Sequence, residues 1–259
     1  MGILNVTPDS FADGGRHHTF ALALARAEEM IMEGADIIDI GGESTRPGAG
    51  RVTADVEKDR TIPLITELQS RGVPLSIDTM RAEVAEAAIS AGATIVNDVS
   101  GGLADPAMAP LIARNKGVQY IAMHWRGHSR EMQEKAHYKD VVREVKEELD
   151  QRIAELLEAG IDGEQIIIDP GIGFAKTAEH NWELLRNLDR LALLGYPILI
   201  GASRKRFLGE LLERDNPDDR EDATIALTTE LARQRVWAVR THAVRAHRDA
   251  IAVIEELDK

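Results

Sequence analysis

Cysteine is absent from all 259 residues, which excludes disulfides and any metal site built on thiolates. Long apolar runs are missing too. No stretch approaches the roughly 20 residues a membrane-spanning helix needs, and no basic segment followed by an apolar one opens the chain as a secretory leader does. Positive charge is in deficit: 31 Lys and Arg face 44 Asp and Glu, for a formal net charge of −13. Duplex binding needs a basic face to displace counterions, so neither nucleic acid nor membrane is expected as a partner. Internal repeats, low-complexity tracts and long polar linkers are also lacking. A soluble, cytoplasmic protein folded around its own core is the expectation, because a 44 % hydrophobic content is enough to fill one.

What is present is a regular alternation. Short apolar runs at 2–6, 36–40, 75–77, 94–97, 118–123, 165–168, 198–200 and 237–240 read as eight strands. Amphipathic stretches at 20–33, 54–71, 81–91, 105–115, 138–159, 180–194 and 222–235 fall between them. Gly34, Gly92 and Gly160 look like helix C-caps ahead of the next strand. Strand–helix alternation implies a parallel sheet, and eight units in this length fit a single-domain α/β fold, the closed (β/α)8 TIM barrel, spanning 1–259. The rival is an open doubly wound sheet, but no G-x-G-x-x-G follows the first strand and polar motifs follow nearly every strand.

In such a barrel the C-terminal strand ends carry the chemistry. Those ends read Asn5, then Glu43 to Pro47 in GGESTRPGAG, Asp78-Thr79, Asn97-Asp98, Met123-His124, DPGIGFAK (169–176), GASRKRF and Arg240-Thr241-His242. Asp78, Asn97 and Asp169 would project inward, where a buried carboxylate needs donors. A ligand rich in N–H groups would supply them, and a fused heterocycle with a 2-amino-4-oxo edge fits, with an arginine lying flat on it. The alternative is a buried ion-pair network with Lys205 or Arg240. Arg240 and His242 alternate at one strand end, so with Asn5 they can grip a phosphate or pyrophosphate. Arg46, Arg204 and Lys205 extend this into a basic mouth on an acidic protein.

Other features have plainer readings. His124 and His128 fall on a loop and do not make a helical zinc pair. His17-His18 precede the first helix as polar cap residues. Met30 and Met32 read as core, Trp182 and Trp237 as packing, Trp125 as pocket rim, and 213–222 as a solvated loop.

Taken together the segments MGILNVTPDSFADGG, DIGGESTRPGA, SIDT, VNDVSG, AMH, DPGIGFAK, ASRKRF and RTH resemble the successive signatures of the dihydropteroate synthase family, in order from residue 2 to 242. The wording WRGHS and SRKRFLG resembles its actinobacterial members. The resemblance implies a pterin-binding barrel in which 4-aminobenzoate displaces pyrophosphate from 6-hydroxymethyl-7,8-dihydropterin diphosphate. It implies that Asp78, Asn97, Asp169 and Lys205 bind the pterin, with Arg240 stacked on it. Arg240, His242 and Asn5 match the diphosphate end, with Mg2+ on Asn5. Asp9 and Phe11 in the first loop, and Thr45, Arg46 and Pro47 in the second, match mobile segments that close over the substrates, with Asp9, Arg46 and Lys205 nearest the reaction. Thr7 to Gly15 is therefore expected to act as a lid hinged at Gly14-Gly15. Phe174, Lys205 and Arg206 match the 4-aminobenzoate side. A homodimer and competition by sulfonamides are implied as well. Ala243 follows His242 where many members carry aspartate, so His242 is expected to lose an orienting contact. The functional rivals are a methyltetrahydrofolate–corrinoid methyltransferase-like barrel and a non-catalytic pterin-binding paralogue.

Overall fold

A computed structural model describes residues 1–7, 16–44, 50–128 and 132–259. Among the described residues eight strands are present: β1 (Gly2–Asn5), β2 (Ile38–Gly41), β3 (Leu75–Asp78), β4 (Ile95–Asp98), β5 (Gln119–Met123), β6 (Ile166–Asp169), β7 (Leu199–Ile200) and β8 (Ala238–Val239). All the pairings are parallel, β1 through β6 in one run and β7 with β8 in another. Two bridges join the runs into a ring, Ile168 with Ile198 and Gly2 with Thr241. Backbone bonds from Ile3 N to Thr241 O (2.9 Å) and from Ile168 N to Pro197 O (2.9 Å) reinforce those seams. The ring is a (β/α)8 barrel, and the open-sheet rival is set aside.

Around it, among the described residues, lie α1 (Arg16–Met32), α2 (Ala54–Leu68), α3 (Ala82–Ser90), α4 (Met108–Arg114), α5 (Val141–Glu158), α6 (Ala178–Arg186), α7 (Leu188–Ala192), α8 (Arg206–Leu212), α9 (Glu221–Arg233) and α10 (Val244–Leu257). Local chemistry sets their starts. Thr53, Asp140 and Thr177 cap α2, α5 and α6 by accepting from Val56, Arg143 and His180 backbone N–H groups. Gly34, Gly92 and Gly160 take φ of 88°, 115° and 92°, the left-handed turn that ends a helix and that a Cβ would resist.

Packing divides into two parts. The larger core lies between strands and helices, around Leu4, Ile38, Ile40, Ile77, Val96, Tyr120 and Ile168. A smaller cluster of Met1, Ile37, Ile95, Ile121, Ile167 and Leu199 fills the barrel interior. Because side chains alternate along a strand, the positions two residues further on, Asp39, Asn97, Met123, Asp169 and Gly201, form the next layer up. The apolar plug thus gives way to a polar floor within one step.

Several expectations need revision. α1 begins at Arg16, so His17 and His18 lie within its first turn and do not precede it. Met30 is buried but Met32 is 76 % exposed and belongs to no core. The stretch at 180–194 is two helices, interrupted at Asn187. Residues 213–222 are not simply solvated: a 3-10 turn spans Pro217–Arg220, and Arg220 is buried, donating to the Arg204, Arg214 and Asp215 carbonyls. No helix of the described residues is long and apolar enough to cross a membrane.

Candidate active site

The register puts Asn5, Gly41, Asp78 and Asn97 side by side on β1 to β4, and Met123 beside Asp169 on β5 and β6. The glycine leaves a gap: a Cβ on Gly41 would lie 3.7 Å from Asn5 Oδ1 and 3.5 Å from Asp78 Cβ. Asp78, Asn97 and Asp169 are all buried on one end of the barrel, as expected.

Sequence reasoning missed a fourth member, Asp39. It is completely buried on β2 and accepts from Arg240 Nε (2.6 Å) and Asn97 Nδ2 (3.0 Å) through Oδ2. Arg240 Nη2 donates to Asp78 Oδ2 (2.7 Å). The ion pairs considered as the alternative are thus formed by Arg240, which forks across two carboxylates. Asp39 Oδ1 and the Ser76 hydroxyl, paired in register on β2 and β3, are buried with no hydrogen-bond partner among the described residues. Orphaned polar atoms at this depth are costly, and they are the floor's standing demand for ligand donors.

Electrostatics follow from burial. Asp78 is raised to about 7 by burial, with Arg240 pulling the other way and Asp39, Glu57 and Asp98 adding to the rise. Burial also raises Asp169, opposed first by the Lys205 ammonium and then by the Gly171 N–H, which donates to its Oδ1 at 2.7 Å. Lys205 is lowered to about 8 by burial, with Asp169 holding it up. Its Nζ donates to the Ile172 carbonyl and lies 4.5 Å from the Phe174 ring centroid. Gly201 borders both groups: a Cβ there would lie in ordinary van der Waals contact, 3.8 Å from Asp169 Oδ2 and 4.0 Å from Arg240 Cδ.

The β8–β1 seam brings Asn5 into the same region as Arg240 and His242. His242 is not left unoriented by Ala243. Ser203 takes over that work, with its Oγ 2.8 Å from His242 Nδ1 and accepting from the His242 N–H at 3.3 Å. Arg204 and Arg206 do not join the mouth. Arg204 pairs outward with Glu221 and Asp218. The Arg206 side chain is 88 % exposed and reaches back to Glu210 at 3.1 Å, so the expectation that it faces the arylamine is corrected. Asp9, Phe11, Thr45, Arg46, Pro47 and the Gly14-Gly15 hinge lie outside the described residues, as does all of the supposed lid except Thr7. His124 is tied to Glu148 and Lys176 and His128 packs edge-on against Trp125, and no group of three or more His, Cys, Asp or Glu side chains that could hold a metal exists among the described residues.

A closed parallel barrel with a buried Asp/Asn floor, Arg240 forked across it and His242 beside it, defines a pterin-binding barrel. Residues 1–242 match the family described as pterin binding enzyme, and the chain belongs to it. Dihydropteroate synthases are among its relatives there. That of Mycobacterium leprae is 50 % identical over 98 % of this chain and 91 % of its own length. The Xanthomonas albilineans dihydropteroate synthase solved with 4-aminobenzoic acid superposes with a TM-score of 0.93 at 43 % identity, covering 100 % of this chain and 92 % of the other. The Yersinia pestis dihydropteroate synthase in a sulfonamide drug complex gives 0.93 at 37 % identity, with 100 % and 93 % covered.

Proposed function

We infer that this chain catalyses the dihydropteroate synthase reaction of folate synthesis: the amine of 4-aminobenzoate forms a C–N bond to the pterin methylene, the C–O bond to diphosphate breaks, and pyrophosphate and one proton are released. The observation that carries it is the floor of Asp39, Asp78, Asn97 and Asp169, with an unsatisfied buried acceptor, adjoining Arg240, His242 and Asn5 at one seam. The pterin's 2-amino and ring N–H groups complement the acceptors. Arg240 and His242 hold the diphosphate and take up its charge as it departs. A corrinoid methyltransferase shares the floor but has no use for that cationic seam, and a purely binding paralogue has no need for it.

The donor set fits Mg2+ of a particular kind. Asn5 offers one amide oxygen and no carboxylate cluster accompanies it among the described residues, which suits an ion that arrives on the substrate's phosphates and keeps several waters. When bound it neutralises the leaving diphosphate. An electron-rich reduced pterin stabilises positive charge at its methylene, so C–O cleavage runs ahead of C–N bond formation. The arylamine needs no strong base before attack, and none is assigned. Phe174 and Lys205 line the arylamine side. Asp9, Phe11, Thr45, Arg46 and Pro47 are assigned to the cover over both substrates on the family resemblance alone, and its task is to keep water from the methylene. Homodimer formation rests on the same resemblance, and cytoplasmic location on composition.

The deciding experiment supplies pterin diphosphate, Mg2+ and 4-aminobenzoate and follows pyrophosphate. Release that depends on 4-aminobenzoate and is inhibited competitively against it by a sulfonamide is expected. Pyrophosphate release indifferent to 4-aminobenzoate would refute the reading.

A further inference from the structure

The connection between β6 and α6 is held in a shape its own residues do not favour. Gly171 and Gly173 have φ of 69° and 80°, and Ala175, which carries a Cβ, has φ of 49°. A non-glycine residue there is strained and persists only where surrounding bonds over-determine it. Four side chains do so here. Asp169 Oδ1 and Asn181 Oδ1 accept from the Gly171 and Gly173 N–H groups, each at 2.7 Å. Lys205 holds the Ile172 carbonyl from the β7 side. Lys176 Nζ donates to the Phe174 carbonyl at 3.1 Å.

The Lys176 bond is anchored further out. Its buried ammonium also donates to His124 Nδ1 at 3.0 Å. That makes Nε2 the protonated ring nitrogen, and it donates to Glu148 Oε2 at 2.9 Å. Arg126 grips the same carboxylate through Nε at 3.1 and 3.2 Å while its guanidinium lies 3.8 Å from the Tyr138 ring centroid. The His124 backbone N–H in turn bonds the Asp169 carbonyl at 2.8 Å. A continuous path therefore runs from α5, through the β5 end, to the backbone that carries Phe174. Nothing in the reaction as derived above uses Lys176 or His124.

We propose that Lys176 is a positioning residue for the arylamine half of the site: anchored by His124 and Glu148, it fixes the Phe174 carbonyl and so the Phe174 ring beside Lys205. The proposal rests on the functional reading in which Phe174 borders 4-aminobenzoate. Lys176 faces His124 on the β5 end, Arg126 and Tyr138 on the loop beyond, Glu148 on α5, Asp169 on β6, His180 on α6 and Lys205 on the β7 loop. Burial lowers Lys176 to about 7, with Asp169 opposing, so it is a cation below that pH and discharges as pH rises through it. His124, lowered to about 4 by burial and Lys176, stays neutral over this range. Glu148 stays anionic at about 2 because, against its burial, His124 and Arg126 hold it down.

The test is steady-state pyrophosphate release by the whole protein, wild type against K176M and K176R. K176M should raise the 4-aminobenzoate KM about tenfold or more while moving the pterin diphosphate KM less than about twofold. K176R, a permanent cation with donors for both partners, should stay within about threefold of wild type. Raising the pH from about 6 to 9 should increase the wild-type KM for 4-aminobenzoate, and K176R should show a clearly smaller increase. Lys205 is intact in K176R and lowered to about 8, so a rise of equal size in both proteins belongs to Lys205 and defeats the proposal. An unchanged arylamine KM in K176M, or an equal rise for both substrates, defeats it too. Should K176M fail to fold, the wild-type and K176R pH curves decide alone. A wild type that releases no pyrophosphate in response to 4-aminobenzoate overturns the functional reading as well, which distinguishes the two failures.

Discussion

Asp169 shows how one side chain serves both fold and chemistry. One carboxylate oxygen fastens the Gly171 N–H, while Lys205, Lys176 and Arg240 supply the positive field that offsets its burial. Asp169→Asn keeps an acceptor for Gly171 but removes the charge that a protonated ring edge would pair with. Pterin affinity should fall by about 10- to 100-fold, since a hydrogen bond to a charged group is worth about 1.5–3 kcal/mol, with the circular dichroism spectrum unchanged. Calorimetric titration checks it, and wild-type affinity would displace Asp169 from the pterin floor. The residues of this floor were unequally legible. Asp78, Asn97 and Asp169 end their strands and announce themselves there. Asp39 lies inside the apolar run DIIDIGG, where a strand's own polarity pattern gives no sign that two residues separate it from the barrel's interior plug. Arg206 misled for the opposite reason: motif adjacency to Lys205 does not determine which way a helix turns its side chain, and α8 carries it into solvent.

At the scale of elements, the connection from β6 to α6 is the most tightly specified part of the site. A Cβ on Gly171 would come within 2.6 Å of the His124 carbonyl oxygen, at a φ of 69°. Neither the backbone oxygen nor the turn can give way cheaply. Gly171→Ala should therefore cost about 2–4 kcal/mol of stability, read as a lower urea midpoint at constant slope; a change under about 0.5 kcal/mol would mean that the turn is more pliable than its bonds suggest. Strand positions were legible because short apolar runs alternate with helical patterns, and strand ends fell within two residues of expectation, whereas α8 and α10 were not among the expected helices. The break at Asn187 was not legible, since both pieces present continuous helical periodicity. Nor was the burial of Arg220, because a charged run looks solvated until a partner carbonyl is placed against it.

For the whole molecule, closure is the decisive event. Among the described residues β8 meets β1 through the Gly2–Thr241 bridge and neighbouring backbone bonds, and this contact across nearly the full chain length brings Asn5, Arg240 and His242 to one seam. Apolar side chains remain on the outside as well, Leu211 on α8 and Val253 and Leu257 on α10 among them. A homodimer should cover part of this surface, and sedimentation equilibrium at micromolar protein should then return twice the 28.4 kDa chain mass. A single species at the chain mass would show that the apolar side chains stay exposed and that each barrel works alone.

By itself the sequence determined the barrel, its eight-fold alternation, and which strand ends carry polar chemistry, because those are local properties: periodicity, turn residues, and a polar group at a strand terminus. Only the tertiary structure decided the partners. That Arg240 forks over Asp39 and Asp78, that Ser203 orients His242, and that a lysine after β6 is anchored through a histidine after β5 all depend on which strands become neighbours when the ring closes. Contacts between residues tens to hundreds of positions apart are set by strand register and closure, and no spacing along the chain encodes them.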